Sequence, residues 1–303
     1  MIRIACVLVT FCALSFHAYA QSADALESQF LKIRESFGGR LGVAAMNLKT
    51  GEMIRFNGDS LFPTASVIKL PVLVELYCRF HDRALLPETP VALYDTLKKP
   101  GSGVLQFLSG GQTLKLVDIA TLMIVLSDNT ATNYVIDTFA PEHDSKLEAV
   151  NNRMTSLGLR QTKLLNKLYS YATKKKTEEA RRFGIGVSSP DDMVLLLGKI
   201  SRGTIMSRGL CDSMIAVLRN QSDVTQAQRY LPFIEDSTLW VGNKTGSVDQ
   251  VKNDVGIVSS SGGEYVYAIF CSDSKDIGEQ TDNKATLAVA SVSRLLFDHF
   301  LKK

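Results

Sequence analysis

Three short polar clusters contain the side chains of this chain that could catalyse a reaction by nucleophilic attack. In the first cluster, Ser66 and Lys69 are three residues apart, a spacing that places both side chains on one face of a helix. A serine hydroxyl is a weak nucleophile until a base takes its proton, and a lysine can be that base if burial or a nearby cation lowers its pKa. The cluster therefore predicts a serine nucleophile with a lysine as its proton partner.

The first cluster also has a simpler interpretation, in which the serine caps a helix and the lysine lies on the surface. The flanking residues argue against it, because they are apolar: Val67, Ile68, Leu70, Pro71, Val72 and Leu73. Such flanks leave little room for an exposed helix face. We therefore expect Lys69 to be buried, where a charged group is costly without a partner or a function.

The second cluster, Ser127-Asp128-Asn129, follows an apolar stretch. Taken alone it favours a helix-capping turn, since all three residue types cap helices well. Taken with the first cluster, Ser127 could pass a proton to a leaving nitrogen, and Asn129 could orient a substrate through its amide.

The third cluster, Lys244-Thr245-Gly246-Ser247, comes at the end of a predicted strand. The lysine and the two hydroxyls could hold a carboxylate, and Lys244 could be the cation that lowers the pKa of Lys69. Gly246 would let a substrate backbone approach closely. A backbone N–H near Ser247 could pair with that of Ser66 to stabilise an oxyanion. The alternative is a β-turn with an exposed lysine.

The elements that must position these clusters follow from apolar periodicity. It predicts helices over 25–37, 66–80, 114–126, 130–139, 145–157 and 285–301. A composition rich in β-forming residues, together with turn residues, predicts strands over 43–48, 53–56, 238–243, 254–259 and 264–271, the first two joined as a hairpin. Strands at both ends predict one antiparallel sheet of about five strands, flanked by helices. We expect residues 21–62 and 206–303 to form a discontinuous α/β domain and residues 63–205 an all-helical domain.

Residues 163–187 differ from the rest because they are basic and weakly periodic, and they include the run Lys174-Lys175-Lys176. This pattern predicts a long surface loop, and its simplest interpretation gives the charges no catalytic part. Ser189-Pro190-Asp191-Asp192 then begins a helix, with a serine cap, a proline in the first turn and acids near the positive end.

The composition and the first twenty residues indicate a secreted protein. The chain has 303 residues, of which 45% are hydrophobic, enough for a full core. Its net charge of +3 is far from the strongly basic charge that is typical of nucleic-acid-binding domains. Residues 1–20 have the pattern of a signal peptide, with Arg3, an apolar stretch from 4 to 16 and Ala18-Tyr19-Ala20 as the cleavage site. We expect a monomer that is soluble and periplasmic after cleavage, without a membrane span.

Three cysteines remain after that cleavage, so the chain can form at most one internal disulfide. Cys78 and Cys271 lie in apolar stretches, where a cysteine usually serves as a small buried hydrophobe, and Cys211 is the third. Their spacing fits no zinc pattern. We expect neither a metal nor a cofactor.

With these motifs in view, the chain resembles class A β-lactamases and related penicillin-recognising serine hydrolases over residues 25–303. The three clusters carry the resemblance. Four flanking motifs add to it: Phe62-Pro63-Thr64-Ala65, Asn129-Thr130-Ala131-Thr132-Asn133, Ser189-Pro190 and Asn253-Asp254-Val255-Gly256. The resemblance implies the β-lactamase/transpeptidase-like α+β fold and a reaction through an acyl-enzyme.

The resemblance also implies a role for each cluster. On the catalytic side, Ser66 would be the acylated nucleophile, Lys69 its base and Ser127 the proton relay. On the substrate side, five residues would bind the substrate, its carboxylate or its oxyanion: Asn129, Lys244, Thr245, Gly246 and Ser247. Ser102 and Gly103, within 101–105, would form the cleft rim in place of the aromatic gate common in the family.

One departure from the family pattern concerns release of the acyl group. Class A enzymes position the deacylating water with a Glu-x-x-Leu-Asn pattern on the loop before the Ser-Pro helix, and this pattern is absent between Leu157 and Pro190. Counting back from Pro190, Thr173 is nearest to the expected place, and Glu178 is the acid that could compensate. The sequence therefore supports acylation and leaves deacylation without its usual residues.

Three functions fit this pattern. The first is a β-lactam hydrolase, slow in deacylation, and it is the one we predict. The second is a D,D-peptidase, a transpeptidase or another serine esterase or amidase that acts on peptidoglycan stems. The third is a non-catalytic β-lactam binder or sensor, which would need a membrane-spanning helix to signal across a membrane.

Overall fold

A five-stranded antiparallel sheet forms the centre of the computed structural model, which describes residues 25–302; the predicted signal peptide lies outside them. The strands are β1 (Arg40–Asn47), β2 (Met53–Phe56), β8 (Trp240–Val248), β9 (Val251–Ser260) and β10 (Gly263–Ser272), in the spatial order β2-β1-β10-β9-β8. Because β1 pairs with β10 along its whole length, both ends of the chain build one sheet. The predicted fold class is confirmed.

Helices cover both faces of this sheet. On one face, α1 (residues 25–37) and α9 (Lys284–Phe300) share an apolar cluster with the strands that includes Phe30, Val43 and Val289. On the other face, α7 (Pro190–Ser201) contacts β1 and β10. The remaining helices are α2 (Lys69–His81), α3 (Leu116–Val125), α4 (Asn129–Asp137), α5 (His143–Ser156), α6 (Glu178–Phe183) and α8 (Arg208–Arg219).

The region between residues 63 and 205 is not purely helical, so the prediction of an all-helical domain is wrong in that respect. It contains a three-stranded sheet of β3 (Phe62–Pro63), β6 (Lys163–Leu164) and β7 (Gly186–Ser188), and a pair formed by β4 (Pro90–Ala92) and β5 (Thr113–Lys115). One apolar cluster joins the helices of this region to the central sheet, for example through Leu73, Leu196 and Phe270. The division at residues 62 and 205 stays a prediction.

The segment 163–187 is more ordered than the predicted surface loop. It contains β6, α6 and β7, and four of its side chains form a small buried cluster: Leu165, Ala180, Phe183 and Val187. This cluster could not be recognised in the sequence, because its apolar residues are few, stand among basic residues and lack a regular spacing. The helix predicted from Ser189-Pro190 is present as α7, and the Ser189 hydroxyl accepts the Asp192 N–H as its cap.

The third cluster lies inside a strand rather than after one. Residues Lys244, Thr245 and Gly246 pair with Val255, Asp254 and Asn253 in the β8–β9 ladder. The prediction ended the strand at residue 243 because the polar residues that follow resemble a turn. Pairing with β9 extends the strand, since the ladder is set by the partner and not by local propensity.

The three described cysteines are all buried and free, which confirms Cys78 and Cys271 as small core residues. None of the helices in residues 25–302 combines the length and the apolar character needed to span a lipid bilayer. Within the same residues, no group of three histidine, cysteine or acidic side chains is placed to hold a metal ion.

Candidate active site

Ser66 lies in a 3₁₀ turn, Ala65–Ile68, that leads directly into α2. The turn is held against the sheet by Asn253, whose amide donates to the carbonyl oxygens of Pro63 at 2.9 Å and Thr64 at 3.2 Å. Ala65 has φ of 43°, in the region that residues with a side chain rarely adopt. Strain of this kind persists only where the surroundings impose it, and it concentrates at functional sites.

Lys69, the first residue of α2, is completely buried, as the apolar flanks predict. Its ammonium donates to the Ser127 carbonyl oxygen at 2.6 Å, the Ser127 hydroxyl at 3.1 Å and Asn129 Oδ1 at 2.9 Å. Burial, and then the charge of Lys244, hold the pKa of Lys69 well below its ordinary value, although Asp128 opposes the shift. A lysine in this state can become a neutral amine and accept a proton.

The Ser127-Asp128-Asn129 turn combines the two roles that its sequence allowed, a helix cap and a contact with the first cluster. Asp128 caps α4 by accepting the Ala131 N–H at 2.8 Å, so the capping role is real. Ser127, at φ of 52°, brings its hydroxyl and carbonyl to Lys69. The cap therefore fixes the turn, and the turn presents Ser127 and Asn129 to the lysine.

The segment 100–105 is fastened to this turn and forms one edge of the site. The Asn129 N–H donates to the Ser102 carbonyl at 3.0 Å, and the second carboxylate oxygen of Asp128 accepts the Leu105 N–H at 2.8 Å. Gly103 has φ of 102°, and a Cβ there would lie 2.2 Å from the Asp128 carboxylate. Only a glycine fits this contact, so Gly103 sets how closely the edge approaches the turn.

Strand β8 lies beside the 3₁₀ turn and brings the third cluster to Ser66. A Cβ at Gly246 would lie 2.6 Å from the Thr64 carbonyl oxygen and 3.1 Å from the Ser66 nitrogen. Gly246 thus permits contact of two backbones, and the approaching backbone is that of this chain rather than of a substrate.

The side chains of the third cluster differ in burial. Lys244 is fully buried, donates to the Thr245 carbonyl at 2.8 Å, and has a pKa that burial lowers to about 8, with Asp223 and Asp254 opposing. Thr245 is nearly buried, whereas Ser247 is exposed and accepts a hydrogen bond from Gln226 at 3.2 Å.

An open cavity of about 510 Å³ lies in front of Ser66. Of the predicted residues, Ser66, Ser102, Asn129 and Ser247 line it, while Lys69 and Lys244 are buried. Thr245 and Ser127 adjoin these residues, and Gly103 packs against Asp128 instead. All three clusters therefore meet at one place.

The remaining wall of the cavity comes from the segment 166–174 and from 183–185. Leu168 is buried in this wall, and Asn133 of α4 fixes it: the Asn133 side chain accepts the Leu168 N–H at 3.0 Å and donates to its carbonyl at 2.8 Å. Thr173, which counting back from Pro190 puts nearest the family's water-positioning acid, is exposed, donates a hydrogen bond to Ser170 and is not among the residues that line the cavity.

Carboxylates are sparse in the described wall of the cavity. Asp249 and Glu279 are its acidic members, and they come from the β8–β9 turn and the segment before α9. Glu178, which could have compensated for the missing acid, is exposed at the first turn of α6 and is not among the lining residues. Glu179 pairs with Lys163 at 2.9 Å.

Several residues with a structural part in the site were noted in the sequence without a role, or were missed. Asn253 holds the turn that contains Ser66, and Asn133 holds Leu168. Asp254 is buried and accepts hydrogen bonds from Asn243, Tyr267 and the Ala227 N–H. Asn133, Asn253 and Asp254 belong to the flanking motifs of the resemblance, which was the one available signal.

Comparison with known proteins agrees with this geometry. Residues 25–300 match the profile described as the Beta-lactamase enzyme family. The Beta-lactamase SME-1 of Serratia marcescens is 29% identical over 138 residues, a match that spans 41% of this chain and 42% of that enzyme.

Two solved structures match over nearly their whole length. A beta-lactamase from Sphaerobacter thermophilus is 30% identical with a TM-score of 0.76, covering 93% of this chain and 96% of that chain. PBP-A, in a leucine-to-glutamate variant captured as an acyl-enzyme with penicillin G, is 25% identical with a TM-score of 0.77, covering 92% and 97%. The profile match spans most of the chain, so this protein belongs to the beta-lactamase enzyme family and is a serine hydrolase of the β-lactamase type.

Proposed function

We propose that the protein opens β-lactams by forming an acyl-enzyme on Ser66. The observation that carries this proposal is the environment of Lys69: a buried amine, one helical turn from Ser66, with a lowered pKa and direct contact to Ser127. A buried lysine without an acidic partner in hydrogen-bonding contact is costly to maintain for stability alone.

The proposed acylation conserves atoms and protons. Neutral Lys69, directly or through Ser127, takes the proton of the Ser66 hydroxyl, and the oxygen attacks the β-lactam carbonyl carbon. The carbon–nitrogen bond of the ring breaks, and the proton returns to the leaving nitrogen through the Ser127 hydroxyl, which lies 3.1 Å from Lys69 Nζ. Backbone N–H groups of Ser66 and of the β8 segment near Ser247 would hold the oxyanion.

Substrate binding is assigned to the other two clusters. Lys244, with Thr245 and Ser247, would attract the substrate carboxylate, and Asn129 would contact its amide. Ser102 and the segment held by Gly103 would form the edge over the substrate.

We further propose that deacylation is slow, because Leu168 and other residues without an acidic group form the loop wall of the cavity that contains Ser66. A leucine cannot take a proton from water, and the wall residues 166–174 contain no acid. Hydrolysis of the ester would then lack a general base, whose contribution is typically about 10²–10⁴-fold.

A second candidate follows from the same wall: the acyl group could pass to an amine rather than to water. Peptidoglycan stem peptides would then be donors or acceptors, in a D,D-peptidase or transpeptidase reaction. The similarity to PBP-A supports this candidate, since its structure holds a penicillin acyl-enzyme.

A time course of intact mass after addition of benzylpenicillin tests both steps. We expect one penicilloyl adduct that forms within minutes and persists for hours, absent from Ser66→Ala and present in Ser102→Ala, which alters another serine of the same cavity. Rapid loss of the adduct with continued turnover would contradict slow deacylation, and no adduct would contradict acylation itself. Release of D-alanine from a stem peptide would favour the second candidate.

We also propose that the protein acts in the periplasm, as a monomer, where it would protect against β-lactam antibiotics or consume them. The pattern of residues 1–20 supports export. N-terminal sequencing of protein from a periplasmic extract should begin just after Ala20, and light scattering should give the mass of one mature chain.

A further inference from the structure

The lysine run 174–176 is divided among three surroundings by the fold. Lys174 is exposed and lines the cavity that contains Ser66. Lys175 places its ammonium 3.2 Å from the carboxylate of Asp144. Lys176 is exposed but is not among the residues that line the cavity. One lysine of the three is therefore available to a molecule bound at Ser66.

Lys167 adds a second cation to the same wall. Its ammonium lies 2.5 and 2.6 Å from the two oxygens of Asp137, which also accepts a hydrogen bond from Lys146 at 2.8 Å. Burial lowers the pKa of Lys167, and the charges of Lys146 and Lys99 lower it further, against the opposing effect of Asp137. Two ammonium groups thus contact one carboxylate, and the charge of Lys99 acts on Lys167 as well, so positive charge is left over.

The acids of the cavity lie on a different part of its wall. Asp249 follows Ser247 by two residues, and Glu279 lies before α9. The lysines lie on the segment 167–174, which continues from the wall that carries Leu168. The lysines therefore bring positive charge to a part of the cavity wall that is separate from the 244–247 segment proposed to hold the substrate carboxylate.

We propose that Lys174 and Lys167 form a subsite for a carboxylate on the acyl side of the substrate, the part that stays on Ser66. The subsite rests on the proposed acylation and narrows its substrate class to acyl donors with an anionic group remote from the carboxylate at Lys244. Lys174 is an exposed cation, and Lys167 is a partly buried cation next to surplus positive charge, so both would attract such a group. Salt should weaken the attraction at Lys174, because that side chain is exposed.

Three penicillins that differ at one carbon test the proposal: benzylpenicillin, its α-carboxy analogue and its α-amino analogue. The measurement is the second-order rate constant of adduct formation, by intact mass at low and high salt. We expect the α-carboxy compound to react fastest and the α-amino compound slowest. The ratio of interest is the rate constant of the α-carboxy compound divided by that of the α-amino compound. Lys174→Met should reduce this ratio by about two- to fivefold, the size expected for one exposed ion pair.

Lys176→Met is the matched control, because it removes an exposed lysine of the same run from outside the cavity. It should leave the ratio unchanged, while Lys174→Glu should reverse the order of the two charged compounds. Lys167→Met should lower the ratio as well, with its folding checked by circular dichroism. Equal rates for the three compounds, or a ratio unaffected in Lys174→Met and Lys174→Glu, would overturn the subsite while leaving acylation intact. Absence of any adduct would overturn both.

Discussion

The two walls of the cavity differ in what they can do to a bound substrate. The wall built from α2, α4 and β8 carries a hydroxyl, a depressed-pKa amine and several hydrogen-bond donors, held by contacts such as Asp128 to Ala131 and Asn253 to Thr64. The wall built from 166–174 presents Leu168, aromatic residues and lysines. Under the proposed function, the first wall (the acylating wall) would form the ester, and the second (the loop wall) has no acid in residues 166–174 that could help water to break it.

The two walls therefore relate to different halves of the proposed hydrolytic cycle, formation of the acyl-enzyme and its hydrolysis. The proposed nucleophile Ser66 lies in a 3₁₀ turn, the proposed base Lys69 begins α2, and the proposed relay Ser127 lies in the turn before α4. Hydrogen bonds fix these positions, and such preorganisation favours bond formation. The loop wall is equally well fixed, since Asn133 holds both backbone groups of Leu168. The slow release that we propose would therefore follow from the identity of the residues in this wall and not from a loosely held loop, and residue changes should alter the two halves independently.

The largest expected effect comes from the acylating wall. Lys69→Met should reduce the acylation rate by about 10³-fold, within the range for a lost general base, because no other described amine contacts Ser127. Stopped-flow or intact-mass kinetics with benzylpenicillin measure it. Lys163→Met, which removes an exposed lysine paired with Glu179, is the control and should acylate at the normal rate. Normal acylation by a folded Lys69→Met protein would show that another group is the base.

The second effect comes from the loop wall, where a substitution should make a step of the reaction faster instead of slower. Leu168→Glu should shorten the lifetime of the adduct by about 10–100-fold, because it places a carboxylate in the wall that faces Ser66. Leu168→Gln has the same shape without the basic oxygen, and its adduct should persist as in the parent protein. Adduct lifetime by mass spectrometry, with the acylation rate measured separately, distinguishes the two steps. Equal lifetimes in both variants would argue that Leu168 is not the limiting residue.

The acylating wall could be predicted from the sequence, and the loop wall could not. Ser66 and Lys69 share a helix turn, so their proximity is local, and apolar flanks forecast the burial of Lys69. The central sheet was likewise predicted, because its strands are rich in β-branched and aromatic residues and are bounded by turn residues. Each of these features depends on neighbours in the sequence or on a motif.

Leu168 owes its position to Asn133, which lies 35 residues earlier in the chain, and no local pattern reports such a contact. The short helix α6 escaped prediction because its buried side chains, Ala180 and Phe183, stand among charged residues. Strand β8 continues through Lys244 because β9 pairs with it, although the polar sequence resembles a turn. Tertiary contacts decided each of these outcomes.

We expect a smaller effect at the edge of the site, the segment 100–105, where Gly103 contacts Asp128. Gly103→Ala would force a Cβ to within 2.2 Å of the Asp128 carboxylate, which caps α4 and accepts the Leu105 N–H. We expect a loss of about 1–3 kcal/mol in the free energy of unfolding, typical of overpacking, together with slower acylation.

Gly111→Ala is the matched control for this change. Gly111 also has positive φ, 86°, but a Cβ there meets nothing within 4 Å. Chemical denaturation of both variants separates the cost of the backbone angle from the cost of the contact. Equal destabilisation would mean that the Asp128 contact adds nothing beyond backbone strain.

The smallest effect concerns the pH profile of acylation, which the two buried lysines should shape in opposite directions. Lys69 acts as a base only when neutral, so the rate should rise with pH through its lowered pKa. Lys244, in its proposed role, would attract the substrate carboxylate only when charged, and its pKa is about 8, so this attraction should be half lost near pH 8 and decline further above it. Acylation by penicillins should therefore fall on the alkaline side.

An ester substrate without a carboxylate separates the two limbs of that profile. It should keep the rise that belongs to Lys69 and lose the alkaline fall, because it has nothing for the Lys244 charge to attract. Lys244→Arg should move the fall to higher pH, since a guanidinium stays protonated. An alkaline fall of equal size for the ester and for benzylpenicillin would instead assign that limb to the catalytic groups themselves, and the buried cation would then act on Lys69 rather than on the substrate.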